Sequence, residues 1–191
     1  MSSIIEWGSD LSIWHPWENY RNSYAANSNM GGGVTLTMSH EIDLARYLFG
    51  PIIHVSAHTQ TSPLFGLECD SAVDALFIHE SGTSTILHLD FFQRPQKRTV
   101  RVISEFEVME LDLIDRSFTI QNSDGTSISH RDIDYDPNLI YKNSLAAFIS
   151  ACNSGPDYKT DLFDGCKTAG ICLSMLDSAK ASKMVHMSKE I

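Results

Sequence analysis

The sequence predicts an α+β domain: a mostly antiparallel, open-faced sheet with helices packed on one face. Three observations lead there. From Ile52 to about Asp134 apolar residues recur with period two, in short runs broken by tight-turn signals such as Ser81-Gly82 and Asp124-Gly125. Helix-period patterns are confined to Val34–Phe49, ahead of that region, and to two segments that close the chain. The strands also follow one another directly, without the helices that a parallel βαβ array interposes.

Each element has its own warrant. Ahead of Gly31-Gly32-Gly33 lies a polar, aromatic-rich segment containing Trp7, Trp14, Trp17, Tyr20 and Tyr24. Pro16 can open a short helix through Arg21, because the first helical position needs no N–H. In Val34–Phe49 the residues Met38, Ile42, Ala45 and Phe49 form one apolar face, and Gly50-Pro51 stops the helix. Ile53, Val55 and Ala57 then alternate with polar neighbours. So do Val73, Ala75 and Phe77, and so do Thr85, Leu87, Leu89 and Phe91. Further strands are expected at Thr99–Ile103, Val108–Leu113, Ser117–Gln121 and Ser127–Arg131. One closing helix carries Tyr141, Leu145, Phe148, Ile149 and Cys152 and ends at Gly155-Pro156. A second carries Leu162, Cys166, Ala169, Leu173 and Leu176. No repeat or internal linker divides the chain, so residues 1–191 read as one domain. Leu76, Ile78, Ile86 and Phe92 make the second sheet face apolar too, which predicts a homodimer or larger assembly through that face.

Composition narrows the function. The formal charge is −10, from 14 basic and 24 acidic residues, which repels phosphate backbones and argues against nucleic-acid binding. No apolar run approaches the roughly 18 residues of a membrane span, and the first residues lack the features of a signal peptide. Cys69, Cys152, Cys166 and Cys172 include no C-x-x-C pair, so a reducing, cytoplasmic setting without disulfides or structural zinc is expected. The last three sit in apolar helical patterns and are expected to behave as small buried hydrophobes.

The chemistry-bearing residues centre on Val34–Phe49. Thr37, His40 and Asp43 are three apart and fall along one side of a helix. An imidazole between a hydroxyl and a carboxylate can be held in one tautomer for acid/base work, and the preceding glycines allow backbone to approach a ligand closely. On spacing alone, a solvated helix face is the better reading. His54 and His58 share strand parity, but no carboxylate of the same element completes a metal set. Arg94, Lys97 and Arg98 read as a solvated basic turn.

The run Gly31-Gly32-Gly33-Val34-Thr35-Leu36-Thr37-Met38-Ser39-His40-Glu41-Ile42-Asp43, followed by Leu48-Phe49-Gly50, resembles the glucose–fructose oxidoreductase / inositol dehydrogenase / MocA family. Trp14 to Arg21, His88 to Pro95 and the final helix from Asp164-Gly165 to Ala181-Ser182 are similar to further segments of that family, so the resemblance spans essentially the whole chain. It implies the substrate-binding and oligomerisation domain of an enzyme that passes a hydride between a sugar, polyol or nucleotide-sugar carbon and NAD or NADP. It implies His40 as acid/base on the reacting hydroxyl and Asp43 as its orienting partner. His15, Tyr20, Arg21 and Thr37 are implied to bond sugar hydroxyls or a phosphate. Three departures stand out. Leu36 and Thr37 occupy the place of the family's aspartate before the histidine. Ser104-Glu105-Phe106-Glu107 replaces a glycine turn. No G-x-G-x-x-G or βαβ unit is present, so this chain by itself is expected to bind no nicotinamide cofactor and not to turn over. The competing readings are a naturally short, non-catalytic scaffold that keeps the dimer-forming sheet, and a metal-dependent lyase or isomerase.

Overall fold

The structure, a computed structural model, describes residues 1–62, 66–154 and 161–187. Its elements run β1 (Ser2–Gly8), α1 (Val34–Thr37), α2 (His40–Phe49), β2 (Ile52–Gln60), β3 (Ala72–His79), β4 (Ser84–Asp90), β5 (Lys97–Ile103), β6 (Glu107–Asp112), β7 (Ser117–Asn122), β8 (Ser127–Arg131), α3 (Asn138–Ser154), α4 (Leu162–Ala181) and β9 (Val185–His186). The strands form one sheet in the order β8-β7-β6-β5-β1-β4-β3-β2-β9. The α+β class, the antiparallel character and the turns at Gly82 and Gly125, with φ of 82° and 85°, are as expected.

The first strand was not legible as one. β1 lies in mid-sheet, parallel to β4 and antiparallel to β5, with Ile5 opposite both Leu87 and Val100. The Ile4-Ile5-Glu6-Trp7 run ending at Gly8 is the signal for it. The core then sits where the alternation puts it: Ile5, Val55, Val73, Phe77, Leu87, Leu89 and Phe91 are all fully buried. Each such side chain contributes about 1.5–3 kcal/mol.

Four expectations change. The helix over Val34–Phe49 is broken: Met38, at φ −94° and ψ 34°, ends α1, and α2 begins at His40. Met38, Ile42, Ala45 and Phe49 nevertheless all face the core. No helix starts at Pro16; instead Asn19 caps a short 3-10 turn at Tyr20–Asn22. The glycines approach the chain's own backbone, since a side chain on Gly32 would overlap the carbonyls of Tyr24, Ala25 and Asn27. Gly33, at φ 105°, would meet Asp70, whose carboxylate accepts from Thr35 N and Oγ1 at 2.9 and 2.7 Å and so anchors the start of α1.

The largest change concerns the closing helices. α4 packs on β2 through Thr168, Ile171, Cys172, Met175 and Ser178. The expected stripe of Leu162, Cys166, Ala169 and Leu173 points outward, and only Leu176 of that set is half-buried. Tyr141, Leu145, Phe148, Ile149 and Cys152 of α3 are exposed as well, so Cys152 and Cys166 are free surface thiols while Cys69 and Cys172 are buried. α4 is apolar on two sides, and helical period alone does not say which side meets the sheet. The Gly155-Pro156 stop lies outside the described residues.

Candidate functional site

Where α1 and α2 meet α4, a cleft of about 270 Å³ opens, lined by Leu36, Ser39, His40, Asp43, Asp164, Gly165, Thr168, Ala169 and Cys172. The break at Met38 makes His40 the first residue of α2, exposed at its mouth. Asp43 faces the same space one turn on. Its carboxylate accepts from Arg46 Nη1 at 2.9 Å and from Thr168 Oγ1 at 2.8 Å, and it makes no hydrogen bond to His40 among the described residues. Arg46 is the hub between the helices, donating also to Thr168 Oγ1 at 2.6 Å and to Asp164 Oδ1 at 2.6 Å. Because Arg46 is only 13% exposed while Asp43 and Asp164 are 48% and 34% exposed, the pair is a half-buried clasp with wet carboxylates.

His40 is held differently. Its ring lies 6.4 Å from the Trp7 ring, tilted by 34°, and makes no side-chain hydrogen bond among the described residues. Trp7 stacks on Trp14 at 6.1 Å and carries the Arg98 guanidinium 4.3 Å from its centroid. Arg98 Nε in turn donates to Glu41 Oε1 at 2.5 Å. Glu41 is fully buried, and its second oxygen has no partner. Burial lifts the Glu41 carboxyl from 4.5 to about 7, against the opposing pull of Arg98. The Cys172 thiol at the cleft is pushed up to about 11 by burial, which favours the protonated thiol at neutral pH.

The remaining expected site residues divide. Thr37 Oγ1 is buried without a partner and does not line the cleft. His15 and Tyr20 line a second hollow of about 140 Å³ with Trp14, Glu18 and Tyr24, which shares no lining residue with the His40 cleft. His15 Nδ1 lies 2.7 Å from Glu18 Oε1, and its ring stacks on Trp17 at 5.2 Å. Arg21 lines neither space; its guanidinium lies 4.7 Å above the Tyr20 ring. The structure thus gathers His40 with Asp43 and sets His15 with Tyr20 apart from them. It adds Asp164, Thr168, Trp7, Glu41 and Arg98, to which the sequence assigns no site role; Asp164-Gly165 at a helix start is the one local signal.

The basic turn is not merely solvated. Arg94 pairs with the buried Asp10, and Lys97 Nζ lies 2.7 Å from Glu6 Oε2. His79 is a core histidine, bonded to Gly50 O and Thr85 Oγ1 at 2.9 Å each. Among the described residues no three His, Cys, Asp or Glu side chains gather as a metal set, and no helix is long and apolar enough to cross a membrane.

Comparison with known proteins places this geometry. The fold matches levoglucosan dehydrogenase in complex with NADH and levoglucosan, with TM-score 0.85 at 16% identity, over 99% of this chain and 59% of that one. It matches an aldose-aldose oxidoreductase from Caulobacter crescentus complexed with glycerol, with TM-score 0.81 at 17% identity, over 97% of this chain and 55% of that one. It also matches a NAD binding oxidoreductase from Klebsiella pneumoniae, with TM-score 0.81 at 12% identity, over 100% and 59% of the two chains. The chain therefore spans less than two thirds of the length of these proteins, and identities this low establish the fold alone. No curated protein matches the sequence. A family model described as the GFO/IDH/MocA C-terminal domain matches residues 8–125, more than half of the sequence, and the chain belongs to that family.

Proposed function

We propose that this chain is the substrate-side domain of a NAD(P)-dependent oxidoreductase acting on a hydroxyl of a sugar, polyol or nucleotide-sugar. The observation that carries the reading is the cleft between α2 and α4, where an exposed imidazole, His40, opens onto the carboxylates of Asp43 and Asp164 in a chain of this family. His40 accepts the proton of the reacting hydroxyl. Asp43 and Asp164, half-exposed and pre-set by Arg46, accept hydrogen bonds from neighbouring hydroxyls. His15 and Tyr20 bind a more distant part of the substrate, and Arg21 supports that wall through its contact with the Tyr20 ring.

Among the described residues the one parallel strand pairing is β1 with β4, and neither strand is followed by a glycine-rich turn and helix. The nicotinamide, which takes up the hydride when bound, would be supplied by a separate half. Two features support a covering half. The apolar residues of α3 and the outer side of α4, among them Leu145, Phe148, Phe163 and Leu173, are 54–74% exposed. The proteins of matching fold are also longer by about two fifths of their length. The open sheet face, with Leu76, Ile86 and Phe92 at 37–53% exposure, is read as the surface where a second copy packs. That face by itself also favours the scaffold reading, in which the domain assembles and does not catalyse. Free cysteines at the surface fit a cytoplasmic protein.

The test joins the chain to a nucleotide-binding half and measures NAD(P)H formation over a panel of sugars and polyols. His40→Ala should lower kcat/KM by about 10²–10⁴-fold. Turnover that survives the substitution unchanged removes His40 from the chemistry, and no turnover with any substrate favours the scaffold.

A further inference from the structure

Three polar side chains of the candidate site are held by hydrogen bonds, and its histidine is not. Asp43, Asp164 and Thr168 are fixed through Arg46, whereas the His40 ring makes no hydrogen bond among the described residues and has the Trp7 ring as its aromatic neighbour. What holds Trp7 therefore decides where His40 stands. Trp7 and Arg98 are directly opposed residues of β1 and β5. Arg98 is a flexible side chain, 30% exposed, that could equally extend into solvent. It lies over Trp7 because Glu41 receives its Nε–H at 2.5 Å. Glu41 is the residue that follows His40 on α2. The contacts thus run Glu41, Arg98, Trp7, His40 and close on themselves, tying the start of α2 to two strands of the sheet.

A fully buried carboxylate is an expensive way to brace a helix. One oxygen is paired and the other is desolvated without a partner, and an apolar residue of similar size would pack there at lower cost. Its cost is explained if the charge itself has a task. We propose that Glu41 is the positioning residue of this site: its carboxylate clamps Arg98 over Trp7, and Trp7 so held sets the His40 imidazole at the mouth of the cleft. The inference gives Glu41 a role in the reading of His40 as acid/base, but its geometric part concerns the ring contact and needs no substrate.

The test is made on the intact chain by NMR at about pH 8, where Glu41 is ionised. An indole ring beside an imidazole displaces the imidazole carbon-bound proton resonances by its ring current. Trp7→Leu sets the value for a His40 free of Trp7. Glu41→Gln keeps the shape and one acceptor but loses the charge, and Arg98→Met keeps the stem but loses the cation. Both should move the His40 ring signals in the direction of Trp7→Leu, with far-UV circular dichroism unchanged, and Glu41→Asp should restore part of the displacement. Folded Glu41→Gln and Arg98→Met proteins whose His40 signals coincide with wild type would overturn the proposal. So would a Trp7→Leu protein that leaves them in place. If Glu41→Gln does not fold, Arg98→Met decides alone, since Arg98 is partly exposed. A failure of His40 in the turnover assay would leave these shifts untouched, so the two readings fail separately.

Discussion

Glu41 makes stability depend on pH in a direction opposite to that of most carboxylates. Desolvation lifts its carboxyl from 4.5 to about 7, while the charge and hydrogen bond of Arg98 pull the other way without prevailing. Between those two values the folded protein holds a proton that the unfolded chain has released. The stabilising contribution is therefore complete below 4.5, declines as pH rises, and is lost once pH passes about 7. At about 1.4 kcal/mol per pH unit, the whole decline is on the order of 3 kcal/mol. Glu41→Gln cannot ionise and should not share it. Urea unfolding of both proteins at a series of pH values between about 4.5 and 8 isolates the effect, because every other titrating group cancels in the difference. Glu41→Gln should gain on wild type by about 3 kcal/mol across that window. A difference that stays flat, or that shrinks as pH rises, refutes the account of Glu41 as a desolvated acid.

The remaining expectations are simpler. Arg46→Ala removes the clasp between α2 and α4 and should cost about 1–3 kcal/mol in urea unfolding, with the smaller figure favoured because both carboxylates are partly solvated. His88 is raised from 6.5 to about 9, first by its hydrogen bond to Asp90 and then by Asp74. Its contribution is present below 6.5 and lost as pH rises through about 9, so His88→Gln should flatten the stability profile over that range. Ile86 is 53% exposed on the open face, so Ile86→Asp should leave the fold intact and convert an assembled species to monomer by light scattering. A wild-type chain that is already monomeric at micromolar concentration would rule that interface out.

Local periodicity carried much of the fold. Alternation placed Val73, Ala75 and Phe77, and likewise Leu87, Leu89 and Phe91, on the buried face, because side chains of a strand must alternate wherever it runs. The period of Met38, Ile42, Ala45 and Phe49 survived even a break in the helix. His40 and Asp43 do share a cleft. What periodicity could not supply was partnership. β1 reaches mid-sheet by pairing with β4 and β5, strands that begin more than 80 residues later in the chain. α4 offers two apolar sides, and only its contact with β2 decides which is core. The hydrogen bonds around Asp43 run instead through Arg46 to Asp164 and Thr168, 118 and 122 residues away from Arg46. In the sequence Glu41 stands only as the neighbour of the histidine, and Arg98 as part of a solvated basic turn; the fold brings them together across 57 residues of chain. The sequence alone determined which residues can be buried, through spacings of two and three to four; which buried or charged group meets which is a property of chain topology, and only the tertiary structure decided it.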